Sequence, residues 1–162
     1  MIVQGLFQQL SDVPKDDLLE KRYAAQLEEY KLQHKMALAT HKPNAAEVVQ
    51  YESEVIKVIR GESKLNADLL NKLYEEAQAK AIESDFKVKS LEKKIEECEE
   101  KRGSLAEQYD SMHSWADLYG DCDMETKKMI LSRVMSSIKV SRDYEVEIDL
   151  TVDCEELGIS FE

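Results

Sequence analysis

Glycine and proline are scarce in this chain, five and two among 162 residues, and aromatic residues make up only 7%. That shortage favours long helices with narrow apolar seams over a deep globular core. The three cysteines, Cys98, Cys122 and Cys154, lie far apart, odd in number and without a CxxC pair. A disulfide framework or a four-ligand structural zinc site is not expected from them, and reduced thiols in a cytosol are. There is no run of eighteen apolar residues, so no membrane span or membrane partner is expected. The opening Met1-Ile2-Val3-Gln4-Gly5-Leu6-Phe7 lacks the basic region and apolar length of a signal peptide.

Motifs that carry chemistry are missing too. No glycine-rich phosphate loop, nucleophile elbow or HExxH occurs. His34, His41 and His113 are scattered and read as exposed or cap-side residues. Paired acids such as Glu96-Glu97 and Glu99-Glu100 read as a solvated helical face. No catalytic residue, metal ligand or cofactor is expected in this stretch of chain.

Charge is what the chain has in quantity: 35% of residues are charged, with a formal net charge of −12. Duplex DNA is a polyanion bound through Lys and Arg, so a chain of this charge binds it poorly unless its basic residues are segregated. Along the sequence, Asp16 and Asp17 suit a helix N-terminus. Leu19, Tyr23, Leu27 and Tyr30 then recur at spacings of four and three, predicting a helix over residues 17–40. His41-Lys42-Pro43-Asn44 predicts a break, with Asn44 capping a second helix over 45–60. That helix carries Val48, Val49, Val55, Ile56 and Ile59 on one broad face and is stopped by Gly61.

Asn66 can cap a third and longest helix. Taking Leu70 as a d position, the a/d seam runs through Tyr74, Ala77, Ala81, Ser84, Val88, Leu91, Ile95, Cys98, Arg102, Leu105, Tyr109 and Met112. Only Ser84 and Arg102 break the apolar alternation, which over about six heptads is a coiled-coil pattern. Gly103 within it costs about 1 kcal/mol relative to Ala. Two partners for this seam are conceivable. The two outgoing helices together match its length, so folding back over residues 60–66 gives an antiparallel hairpin. Alternatively, Lys80–Asp85, Lys87–Glu92 and Lys94–Glu99 are the g–e pairs of a parallel homodimer. The hairpin is preferred, because the outgoing helices must bury their apolar faces somewhere and three exposed ion pairs contribute only about 0.2–1 kcal/mol each.

The last fifty residues change character. Ser114-Trp115-Ala116-Asp117-Leu118-Tyr119 before Gly120 predicts a packed turn with a buried aromatic. Asp123 caps a short helix striped by Met129, Ile130, Val134 and Ile138. Ile138-Lys139-Val140, a turn at Ser141-Arg142-Asp143, and alternating Tyr144, Val146, Ile148 and Leu150 predict a β-hairpin. The positives Lys127, Lys128, Arg133, Lys139 and Arg142 gather here with Glu125 as the one acid between residues 124 and 142. They are candidate contacts to DNA phosphates, against the plainer reading of lysines pointing to water.

Two stretches carry a family resemblance. Glu54-Val55-Ile56-Lys57-Val58-Ile59-Arg60-Gly61-Glu62-Ser63-Lys64-Leu65-Asn66-Ala67-Asp68-Leu69-Leu70 resembles the segment between the coiled-coil arms of large serine recombinases from Gram-positive mobile elements. Gln108-Tyr109-Asp110 through Ser114-Trp115-Ala116, then Lys127-Lys128-Met129-Ile130-Leu131 and Ile138-Lys139-Val140-Ser141-Arg142-Asp143-Tyr144-Glu145-Val146-Glu147-Ile148, resembles their terminal helix and strand pair. The resemblance implies a parent enzyme with an N-terminal serine-recombinase domain and DNA-binding domains that include a four-cysteine zinc ribbon. It further implies a coiled coil whose tip contacts other subunits of the same recombinase, helping to synapse DNA sites and to set the direction of integration or excision. Neither the catalytic domain nor the ribbon's cysteine pairs occur here, so no catalytic or zinc residue carries over. Met1 is then not expected to be the parent's start, and DNA is expected to be bound mainly by parts of the parent outside this chain. The tip candidates are Arg60, Gly61, Glu62, Ser63, Lys64 and Leu65, with Leu65 standing where many relatives have Phe.

The expected architecture is therefore mainly α: a long antiparallel helical coiled-coil hairpin with a small C-terminal helix plus β-hairpin. Residues 1–15 are read as the end of a preceding domain or linker, 16–112 as the hairpin with its tip at about 60–66, and 113–162 as the base. The expected role is non-catalytic subunit contact in site-specific recombination. Rival readings are a structural dimerising coiled coil and a stand-alone DNA-binding regulator, the latter opposed by the net charge of −12.

Overall fold

The structure is a computed structural model and describes residues 2–142, 145–154 and 156–157. The chain is mainly helical, with a long antiparallel helical hairpin and a two-stranded antiparallel sheet towards the C-terminus. The elements are α1 (Ile2–Asp12), α2 (Lys15–Leu19), a π-helical turn (Glu20–Ala24), α3 (Ala25–Ile59), α4 (Ala67–Asp121), α5 (Met124–Val134), β1 (Met135–Val140) and β2 (Val146–Leu150). They form two compact units, one from Gln26–Glu99 and the other from Met1–Ala25 together with Glu100–Glu162.

In the first of these units α3 and α4 run antiparallel. Lys31 reaches Glu99, His34 reaches Glu92, His41 reaches Ser84 and Glu52 reaches Tyr74, so partners descend α4 as they climb α3. The α4 seam follows the heptad: Leu70, Ala77, Ser84, Val88, Leu91 and Cys98 are buried, and Tyr74, Ala81 and Ile95 half-buried. Two helices can each bury only a narrow stripe against the other, which is why most seam positions of α3 remain half-exposed.

The expected break at Pro43 is absent; α3 passes through it without interruption. Tyr30, His34, Ala37, His41, Asn44, Val48, Tyr51, Val55 and Val58 keep a spacing of four and three across the proline, all buried or half-buried. Helix on both sides of residue 43 is thus held by α4. The carbonyl of Ala39, which loses its partner to the proline ring, belongs to an exposed residue and can be hydrated. Asn44 consequently lies in the seam and caps nothing. The broad apolar face expected of the second helix is also narrower: Val49, Ile56 and Ile59 are exposed, while Val48, Tyr51, Val55 and Val58 turn inward.

The reversal is built as the sequence suggests. Gly61 adopts φ +73° and closes α3 with a paired capping motif, its amide donating to the Val58 carbonyl at 3.0 Å and that of Glu62 to Lys57 at 2.9 Å. Asn66 Oδ1 then accepts from the amides of Asp68 (2.9 Å) and Leu69 (3.5 Å) to start α4.

The second unit has the larger core. Leu6, Phe7 and Leu10 of α1, Leu18 and Leu19 of α2, Leu105, Tyr109, Met112 and Tyr119 of α4, and Ile130 and Val134 of α5 bury one another. Within the stretch that the sequence suggests as a linker or domain end, Leu6, Phe7 and Leu10 share one helical face and leave water together in this core. Tyr109 donates to the Val13 carbonyl at 2.7 Å, and Lys15 pairs with Asp110 at 2.6 Å. Tyr23 packs on the same cluster as Leu105, as the fold-back requires. No turn forms at residues 114–119, since α4 continues to Asp121; the buried aromatic is Tyr119, and Trp115 is only half-buried. Asp123 accepts from the Thr126 amide at 2.8 Å and starts α5, which runs directly into β1. β1 pairs with β2 in the register Ile138↔Ile148 and Val140↔Val146, with an irregularity between Met135 and Ser137. Asp143 and Tyr144 of the expected turn and strand lie outside the described residues.

Candidate functional site

The hairpin's end presents Arg60, Gly61, Glu62, Lys64 and Leu65 to solvent, with Ser63 half-buried and accepting from the Leu65 amide at 3.4 Å. Backbone bonds at the end of α3 and the Asn66 side chain at the start of α4 fix this loop, so its side chains are displayed by a defined turn. Lys57 and Glu54 pair at 2.6 Å beside it, and hydrogen bonding to that carboxylate raises the Lys57 ammonium's pKa. Exposed Ile56, Ile59, Leu65 and Leu69 surround the turn. All six tip candidates thus fall on one short segment at the reversal.

The basic candidates are brought together less well. Lys127 is half-buried with its ammonium 5.5 Å from the Tyr119 ring centroid, a cation–π contact. Lys139 is held by Glu147 at 3.6 Å and Asp149 at 3.3 Å, acids that β2 supplies across the ladder. Lys128, Arg133 and Arg142 are exposed, but at about 100° per residue Arg133 points well away from Lys127 and Lys128 around α5. Asp149 also accepts from Ser137, and that bond together with Lys139 depresses its carboxyl pKa. The local positive excess counted along the sequence is therefore partly cancelled by strand pairing, which a linear window ending at residue 142 does not see.

The acids of the g–e pairs expected for a parallel homodimer have partners within the chain. Asp85, Glu92 and Glu99 are engaged within the chain by Lys89 at 2.7 Å, His34 at 3.1 Å and Lys31 at 3.2 Å. Lys80 and Lys87 have no carboxylate within 4 Å among the described residues. Two histidines expected to be surface or cap residues instead occupy seam positions. The Ser84 hydroxyl donates to the Ala81 carbonyl at 3.0 Å, so it accepts from His41 Nδ1 at 2.9 Å, which places a proton on that nitrogen. The signal for both was the four-three spacing from Tyr30, hidden by their polarity and by the proline that follows them.

Among the described residues no three His, Cys, Asp or Glu side chains gather as metal ligands, and Cys98, Cys122 and Cys154 are free thiols. No helix among the described residues is long and apolar enough to cross a membrane. No known protein family, curated protein or solved structure matches the chain.

Proposed function

We propose that this chain is a non-catalytic C-terminal region of a large serine recombinase, acting through the hairpin tip to join subunits during site-specific DNA recombination. One observation carries the reading: the segment of residues 60–65 that resembles the recombinase inter-arm segment lies at the reversal of a helical hairpin, capped on both sides and open to solvent. Apolar side chains at the turn are available for a partner subunit, and a loop held by its own backbone bonds loses little entropy on docking. DNA recognition is left to the parent's other domains, in keeping with a net charge of −12.

The test is made in the parent recombinase. Arg60→Glu with Leu65→Asp should abolish pairing of two DNA sites and recombination between them while leaving single-site binding intact. Recombination at the parental rate would refute the proposal. A structural dimerising coiled coil is less well supported, because the acids that would cross-pair two copies are already bonded within one.

A further inference from the structure

A groove along the flank of the hairpin has a character that neither the seam nor the tip explains. One wall carries Lys80, Lys87 and Lys94, seven residues apart on α4 and all exposed. The facing wall from α3 is uncharged, formed by Gln33, Thr40 and Asn44. Met36 and Phe86 also line the groove, 63% and 73% exposed, with the buried Ala37 and Leu91. Together Met36 and Phe86 give the groove exposed apolar surface that a partner can cover. Lys94 lies 5.8 Å from the Tyr30 ring centroid, and Glu83 is the groove's one acid.

We infer that this groove docks an acidic amphipathic helix of another protein. The lysine row supplies the argument. A spacing of seven residues repeats at about 10.5 Å along a helix, so a second helix with acids at every seventh position meets the lysines one for one. Its apolar stripe covers Met36 and Phe86, the helix-in-groove mode of recognition. The α3 wall offers these lysines no carboxylate, so an acidic face brought from outside meets uncontested positive charge along that wall. Nucleic acid fits less well: phosphates gain nothing from Met36, and Glu83 repels them. The groove lies several turns along α4 from the reversal, so this inference stands or falls separately from the tip-contact role.

The test uses the whole chain and fluorescence anisotropy. The probes are a labelled helical peptide of about four heptads with Leu at a and d and Glu at e and g, its Lys-for-Glu counterpart, and single- and double-stranded oligonucleotides. The acidic peptide should bind, weakening as salt rises, and the basic peptide should not. Lys80→Glu with Lys87→Glu should weaken binding about tenfold or more, since attraction becomes like-charge repulsion. Phe86→Ala should weaken it too, with affinity at high salt also reduced, while Lys35→Glu outside the groove should change nothing. Circular dichroism confirms that each variant keeps its helix. The inference is overturned if the acidic peptide fails to bind, if both peptides bind alike, or if the double substitution leaves affinity unchanged. Oligonucleotide binding that the double substitution abolishes would assign the groove to nucleic acid instead. A dimer converted to monomer by that substitution would assign it to a second copy.

Discussion

Replacing Pro43 by Ala should stabilise the protein, and the size of the gain tests whether α3 is continuous. Proline inside a helix is about 3 kcal/mol less favourable than alanine, because it removes one amide donor and its ring crowds the carbonyl four residues earlier. Here that carbonyl belongs to Ala39, and the amide of the substituted alanine would restore its bond. Against this, alanine loosens the unfolded chain, a loss of about 0.4–1 kcal/mol. Pro43 is exposed and belongs to no packed cluster, so no side-chain contact is sacrificed. The net expectation is about 2 kcal/mol of added stability, or a rise of roughly 1 M in the urea midpoint at an m-value of about 1–3 kcal/mol/M. Far-UV circular dichroism during urea unfolding measures it, and amide exchange at residue 43 should show protection that proline cannot report. An unchanged or lowered midpoint would refute the reasoning, because it would mean that the helix ends before the proline and restarts after it.

Gly103→Ala should add about 1 kcal/mol by helix propensity alone, since nothing lies within 4 Å of the added methyl; a thermal melt that falls would refute it. Gly61→Ala should do the opposite, costing roughly 1 kcal/mol because φ +73° is strained for any residue with a Cβ; urea unfolding of the variant measures it. Tyr109→Phe removes the 2.7 Å bond to the Val13 carbonyl and should cost about 0.5–1.5 kcal/mol in chemical unfolding. The Asp123 carboxylate is held below its ordinary value of 3.8, chiefly by the Thr126 amide. Its contribution is therefore complete above that value and lost as pH falls through the lower folded one; acid titration of Asp123→Asn should show a flatter loss of stability in that window.

The parts of the fold legible in the sequence are those where polarity and position agree. The α4 seam, the Gly61 stop and the Asn66 cap each depend on one residue type doing what its chemistry favours locally, and each forms. Three features are hidden because packing overrides a local preference. Pro43 and Asn44 carry strong break and cap signals, yet α4 supplies seam partners on both sides and the helix continues. Gly120 and Trp115 suggest a turn, but Tyr119 and Met112 bury themselves on α1 and α5 only if α4 stays helical between them. The place of residues 2–12 is hidden because a single helical face of Leu6, Phe7 and Leu10 cannot reveal its partner, which lies about a hundred residues away in sequence. At the tip, the candidates are legible because a reversal gathers consecutive residues. At the base they are not, since Glu147 and Asp149 reach Lys139 only through the strand register.

The composition of the α3–α4 seam bears on why this hairpin has one alignment. Its α3 side alternates Tyr30, His34, Ala37, His41, Asn44, Val48 and Tyr51, and its α4 side sets small Ala81 and Ser84 against the polar His41 and Asn44. A seam of leucines alone could slide by a heptad at little cost. Here a slide would separate His41 from Ser84, Tyr74 from Glu52 and His34 from Glu92 together, and the part-buried His41–Ser84 bond is the one whose loss costs most. Polar seam residues thus exchange strength for register. For a hairpin proposed to present a short tip in one defined conformation, register matters more, because a slip of one heptad moves one helix about 10 Å along the other and unmakes the turn at Gly61.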